Sequence, residues 1–161
     1  MLLRIGIDLG GTKTEVVLLD DAGREKLRTR IATPREDYEG TIAAVVQLVE
    51  QARNLAGRTC SVGIGIPGAV SSETGLVKNA NSTWIIGRAL DRDLERALGQ
   101  PVRVANDANC FALSEAIDGA AAGCQSVFGV ILGTGVGGGL VFERRVLVGV
   151  NGLGGEWGHN P

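Results

Sequence analysis

The sequence is poor in three things: it has three cysteines, one histidine and only 4% aromatic residues. Cys60, Cys110 and Cys124 are odd in number and far apart, which excludes both a disulfide framework and a local zinc knuckle. Neither sign of charge dominates: 16 Lys and Arg face 18 Asp and Glu, for a net charge of −2. Such a balance gives no electrostatic footprint for nucleic acid or anionic lipid. No apolar run approaches the ~20 residues of a membrane span. Met1-Leu2-Leu3-Arg4 leads straight into a strand pattern, without the parts of a secretion leader. The expectation is a soluble cytoplasmic protein without nucleic-acid or membrane partners. Its 161 residues suffice for one domain, or one domain plus part of another.

Glycine is abundant instead, with 25 of 161 residues, roughly twice the usual ~7%. The glycines sit among Val, Ile and Leu at strand ends, so they mark turns and close backbone approaches rather than a linker. The pattern predicts strands over Leu2–Leu9, Glu15–Leu19 and Lys26–Ile31. Thr33-Pro34-Arg35-Glu36 reads as an N-cap with Pro at the first helical position. Ile42, Val45, Val46, Val49, Ala52 and Leu55 continue that helix to Gly57. A strand over Cys60–Ile66, a helix over Asp91–Leu98 and a strand over Val102–Ala105 follow. Then comes an alanine-rich helix over Ala108–Ala121, with Leu113, Ala116, Ile117 and Ala120 on one face. Val127–Leu132, Gly139–Glu143 and Arg145–Val148 complete the strands.

The second hairpin repeats the first. A shift of 123 residues carries Ile5–Gly10 onto Phe128–Gly133 and Val16–Leu19 onto Gly139–Phe142. Two strand–glycine turn–strand units at that separation predict a duplicated architecture with two similar lobes. The expected division is residues 1–122 as a complete lobe and 123–161 as the opening of a second.

Asp8-Leu9-Gly10-Gly11-Thr12-Lys13 is the first turn. Successive main-chain N–H groups in a tight glycine turn form an anion site, to which Thr12 adds a hydroxyl and Lys13 a positive charge. Asp8 aligns with Ile131 in the repeat, so the strand itself needs no carboxylate there. It reads either as a cap on a polar turn or as a Mg²⁺ ligand, direct or through water. Gly133-Thr134-Gly135-Val136-Gly137-Gly138-Gly139 is the second turn. It satisfies G-x-G-x-x-G but lacks the following helix and distal acid of a dinucleotide site, and Thr12-Lys13 reverses the P-loop order. Two phosphate-type turns on paired hairpins instead suit a nucleotide held between two lobes.

Asn106-Asp107 joins a strand to a helix. Both residue types are common helix caps. Alternatively, Asp107 is a general base held ionised by the helix N-terminus, with Asn106 on a neighbouring hydroxyl. Glu156 and His159 lie three apart, so one helical turn would present both to a polyol, or His159 to a metal. With no cysteine after residue 124, a four-ligand zinc site is not completed locally. The amide-rich segment Lys78–Trp84 is a surface loop or a sugar-facing one.

Together, Asp8–Lys13, Gly63-Ile64-Gly65-Ile66-Pro67-Gly68, Asn106-Asp107, Gly133–Gly137 and Glu156-Trp157-Gly158-His159 resemble the ROK family of bacterial sugar kinases and sugar-responsive repressors. Val77–Trp84 and Gly155–Pro161 are most similar to its fructokinase members, with its N-acetylglucosamine kinases next. The resemblance implies an RNase H-like α/β fold of the actin and hexokinase type, ATP with Mg²⁺, and phosphoryl transfer to a hexose hydroxyl. N-acetylglucosamine, N-acetylmannosamine and glucose are the alternative sugars. Asp107 would be the base. Asn106, Glu156, His159, Gly68 and Asn81 would line the sugar site. Gly10, Gly11, Thr12, Lys13, Gly133, Thr134 and Gly135 would hold phosphates, with Asp8 near the metal. Family members carry a Cys-rich zinc motif after the Glu-x-Gly-His segment. His159 would therefore be a ligand of a structural Zn²⁺ completed beyond Pro161, in a protein that forms a homodimer when complete. A repressor of the same fold would need a DNA-binding module ahead of Leu2, and a chaperone-type ATPase would not need a polyol pocket.

Overall fold

The computed structural model describes residues 2–132, 136–152 and 154–158. Three strands open the chain: β1 (Arg4–Leu9), β2 (Lys13–Leu19) and β3 (Glu25–Ala32). Helix α1 (Tyr38–Ala56), strand β4 (Ser61–Ile66) and a small hairpin, β5 (Ala69–Val70) with β6 (Val77–Lys78), follow. Next come helix α2 (Leu90–Leu98), strand β7 (Val102–Asn106) and helix α3 (Asp107–Ile117). Strands β8 (Ser126–Leu132), β9 (Val136–Phe142) and β10 (Arg145–Val146) close it.

The first sheet has the order β3-β2-β1-β4-β7. β1, β2 and β3 pair antiparallel, while β1, β4 and β7 run parallel. Alternation in these strands puts Ile5, Ile7, Leu9, Val16, Leu18, Val62, Ile64 and Ile66 on one buried face. Leu48, Val45, Val49 and Ala52 of α1, and Leu90, Leu94 and Leu98 of α2, belong to the same core. Burying each large aliphatic side chain contributes roughly 1.5–3 kcal/mol. The opposite face has Gly6, Gly63, Gly65 and Ala105 along the parallel strands, flanked by Asp8, Glu15, Val17, Arg28 and Arg103.

The parallel strands decide where chemistry collects. Asp8 pairs with Gly65 and Gly65 with Ala105, so β1, β4 and β7 end at one edge. The segments after their carboxyl ends therefore converge, which is where open α/β sheets bind ligands.

The second sheet, β10-β9-β8, is a separate layer. Helix α3 covers one of its faces, with Ala112, Ala116 and Val141 buried and Leu113, Val127 and Val146 around them. A Cβ on Gly129 would lie 2.8 Å from the Ala112 Cβ, so glycine in the strand and alanine in the helix allow the close packing. The other face leaves Phe128, Val130, Leu132, Val136, Leu140 and Phe142 between 36% and 73% exposed.

Several expectations change. The N-cap of α1 is Asp37, which accepts the Gly40 N–H at 2.9 Å. Thr33 is buried four residues earlier and bonds to the first turn instead. Helix α3 stops at Ile117, because the Asp118 and Gly119 N–H groups both donate to the Ser114 carbonyl. Its buried face is Ala108, Ala112 and Ala116, while Ile117 is 39% exposed. Strand β9 begins at Val136. Gly6 pairs with Val17 and Gly129 with Gly139, so the repeat holds at 123 residues for the first strand but 122 for the second. The second hairpin closes one residue tighter.

Candidate active site

Asp8 near the end of β1 and Asp107 at the start of α3 share one cleft of about 690 Å³, with Gly65 on its floor and Glu15, Arg103 and Cys110 on its walls. A Cβ on Gly65 would lie 3.6 Å from the Asp107 Cα, which shows how closely the helix start overlies β4. Cys110 and Phe111 follow Asp107 by about one helical turn and line the same cleft.

Burial lifts the Asp107 carboxyl above the usual aspartate value. The Asp8 and Glu156 carboxylates push it further, against the Ala108 and Asp107 N–H groups. Burial likewise raises Asp8, helped by Glu15 across the β1–β2 pair and opposed by Arg30. The helix N-terminus expected to keep Asp107 ionised is thus outweighed by desolvation and like charge. The Asp107 Oδ1 accepts the Ala108 N–H at 2.7 Å, which leaves Oδ2 available to accept a proton. A raised carboxylate with one free oxygen in a cleft has the properties of a general base.

Asp8 forms no ion pair among the described residues. Its hard oxygens, beside a second carboxylate, fit Mg²⁺, which prefers carboxylate and retained water. Among the described residues no cluster of three His, Cys, Asp or Glu has the arrangement of a metal site.

The other expected residues divide. Gly10, Gly11 and Thr12 form the β1–β2 turn, closed by the Gly10 N–H donating to the Lys13 carbonyl at 3.0 Å. A Cβ at Gly10 would lie 2.8 Å from that carbonyl oxygen, so the turn requires glycine there. Lys13 begins β2 with its side chain exposed. Asn106 caps α3, accepting the Asn109 N–H at 3.0 Å, and its Nδ2 donates to the Gly68 carbonyl at 3.2 Å. The capping role therefore holds, and it also ties the helix start to Gly68. Exposed Asn81 joins them through its N–H, which donates to the Pro67 carbonyl at 3.1 Å. Glu156 is half-buried in irregular chain rather than on a helical turn. Trp157 fixes that segment, its Nε1 donating to Gly137 O at 3.2 Å and its ring meeting Phe128 edge-on. Gly133, Thr134, Gly135 and His159, expected as the second phosphate turn and a histidine ligand, lie outside the described residues.

Three features have weak sequence signals. Glu15 takes Arg28 and Arg30 as partners in the cleft wall, and strand alternation from Lys13 would have put it on the Asp8 face. Ser82, beside Asn81, is 2% exposed, and its Oγ has no hydrogen-bond partner among the described residues. Lys78 Nζ donates to the Asn151 carbonyl at 2.8 Å, strapping the β5–β6 hairpin to the loop after β10.

Comparison with known proteins agrees with this architecture. The ROK family profile matches residues 4–161. The chain is 46% identical over 154 residues to an N-acetyl-D-glucosamine kinase of Photobacterium profundum, covering 96% of this chain and 51% of that protein. A ROK family glucokinase from Streptomyces griseus, solved with glucose and AMPPNP, superposes with a TM-score of 0.87 at 35% identity, over 98% of this chain and 50% of that one. The ROK hexokinase of Thermus thermophilus gives 0.84 at 36% identity, over 96% and 52%. The fold is thus the α/β, RNase H-like fold of the actin and hexokinase class. The chain belongs to the ROK family. It spans about half the length of the curated relatives it matches.

Proposed function

We propose that the complete protein is an ATP-dependent hexose kinase, with Asp107 as general base and Asp8 as the Mg²⁺-side carboxylate. The observation that carries this reading is the pair itself: two carboxylates, both lifted by burial, in one cleft at the ends of parallel strands. Asp107 Oδ2 accepts the proton of a sugar hydroxyl while that oxygen forms its bond to the γ-phosphorus and ADP leaves. Mg²⁺ supplies charge neutralisation on the phosphates. Phosphoryl transfer needs mainly positioning and such neutralisation, and the Gly10–Thr12 turn offers main-chain N–H groups for it. Lys13 adds charge at the turn.

Gly68, Asn81 and Asn106 form one wall of the sugar site in this reading, with Glu156 and His159 as further sugar contacts. Gly133, Thr134 and Gly135 serve as the partner phosphate turn. The same proposal keeps His159 as a structural Zn²⁺ ligand and a homodimer as the assembly. N-acetylglucosamine stands ahead of fructose as the sugar, because the chain is 46% and 44% identical to two N-acetyl-D-glucosamine kinases. Residues 1–122 and 123–161 remain the proposed division. Helix α3 is shared between the two parts, continuous with the first sheet through Asn106 and packed on the second.

A panel of hexoses and N-acetylhexosamines, given ATP and Mg²⁺ and read by ADP release from the complete protein, tests reaction and substrate together. Asp107→Ala is expected to lose at least ~100-fold in turnover, the usual worth of a positioned base, while still binding sugar. Turnover retained in that variant refutes the assignment.

A further inference from the structure

We infer that Thr33 is a positioning residue for the phosphate turn, acting through a buried hydroxyl relay with Thr14; this rests on the kinase reading above. Thr33 is 5% exposed and Thr14 fully buried. The Thr33 hydroxyl donates to the Gly10 carbonyl at 2.8 Å, and the Thr33 N–H donates to the Thr12 carbonyl at 3.0 Å. The Thr14 and Thr33 hydroxyl oxygens are 2.7 Å apart. A threonine hydroxyl has one proton, and that of Thr33 is committed to Gly10. Thr14 must therefore be the donor to Thr33, which gives the relay one direction: Thr14 to Thr33 to the Gly10 carbonyl.

The consequence follows from peptide geometry. A trans peptide points its C=O and N–H in opposite directions. With the Gly10 and Thr12 carbonyls drawn back towards Thr33, the Gly11 and Lys13 N–H groups are turned the other way. A glycine turn has many conformations of similar energy, and an anion site needs one of them. The relay selects it from behind, without touching the ligand. Burial strengthens each link, because no water competes for these hydroxyls.

The test uses the full-length protein and titrates ATP with Mg²⁺ by calorimetry, alongside steady-state kinetics in both substrates. Thr33→Val keeps the shape and the main-chain bond but removes the relay. It is expected to weaken ATP binding about tenfold, the size of one lost buried hydrogen bond, with the sugar KM within about twofold. Thr33→Ser is expected to restore ATP affinity. Thr14→Val leaves the turn's own bonds in place and is expected to show a smaller loss of the same kind; it is the second arm where Thr33→Val does not fold. Wild-type ATP affinity in both valine variants overturns the inference. Equal losses for ATP and sugar, or a serine variant as weak as the valine one, also overturn it. A wild-type protein that binds no ATP overturns the kinase reading and takes this inference with it.

Discussion

Asp107 is held at a cost to the fold. Its carboxyl is raised in the folded state, chiefly by burial, so the folded protein holds that proton more tightly than the unfolded chain does. Above the ordinary aspartate value, ionisation therefore works against folding. Asp107→Asn is expected to melt at or above the wild-type temperature at neutral pH while losing turnover, which calorimetry beside an activity assay checks. The acid limb of kcat/KM should lie above ~4, the usual aspartate pKa, and move to lower pH when Glu156→Gln removes one of the charges that raises it. Ser82 makes the complementary case. Its buried hydroxyl has no partner among the described residues, so Ser82→Ala is expected to be neutral or to stabilise by about 1 kcal/mol in urea unfolding. Asp107 was legible in the sequence because an Asn-Asp pair at a strand–helix joint is a local signal. Thr33 was not: Thr-Pro-x-Glu has the local form of a cap, and only strands distant in sequence supply the hydroxyl and carbonyl that it bonds.

Among the elements, strands and helices with strong periodicity were legible, and their ends were less so. Helix α1 and the parallel strands follow directly from apolar spacing. The end of α3 does not, because its alanine run continues past Ile117 and only packing on Gly129 and Gly139 selects the Ala108–Ala112–Ala116 face. The β2–β3 turn shows how one side chain organises a connection. Asp20 is fully buried and accepts the Ala22 and Arg24 N–H groups at 3.0 and 2.9 Å, with Arg24 and Lys26 as ion partners. Burial pushes its carboxyl up, but those donors together outweigh it and hold it at about 2. The stabilisation is therefore present above the unfolded value of ~3.9 and lost as pH falls towards 2. Unfolding followed between pH 5 and 2 should show that loss in the wild type and a flatter profile in Asp20→Asn, which is less stable at pH 7.

At the scale of the whole molecule, the internal repeat predicts what the second sheet lacks. The 123-residue shift carries Ile5, Ile7 and Leu9, which α1 covers, onto Phe128, Val130 and Leu132, which stand open. Such a contiguous apolar face marks an interaction surface. Residues 1–161 prepared alone are expected to bind a hydrophobic dye such as ANS strongly and to self-associate, and the complete protein to do neither; equal dye binding by the two would count against it. The two cores were legible from the duplicated hairpins, but the allegiance of α3 was not, since nothing local says which sheet an alanine-rich helix will meet. That allegiance has a mechanical result. Asp107 directly follows β7, overlies Gly65 and is anchored through Asn106 to Gly68, so it stays with Asp8 on the first sheet while the body of α3 carries the second. Rotation of one layer against the other therefore moves the Glu156 segment, held to the second sheet by Trp157, relative to that fixed pair. In the kinase reading the opening angle then acts as a throttle on turnover, and a viscous solvent should slow the enzyme even though no bond-making step involves bulk water.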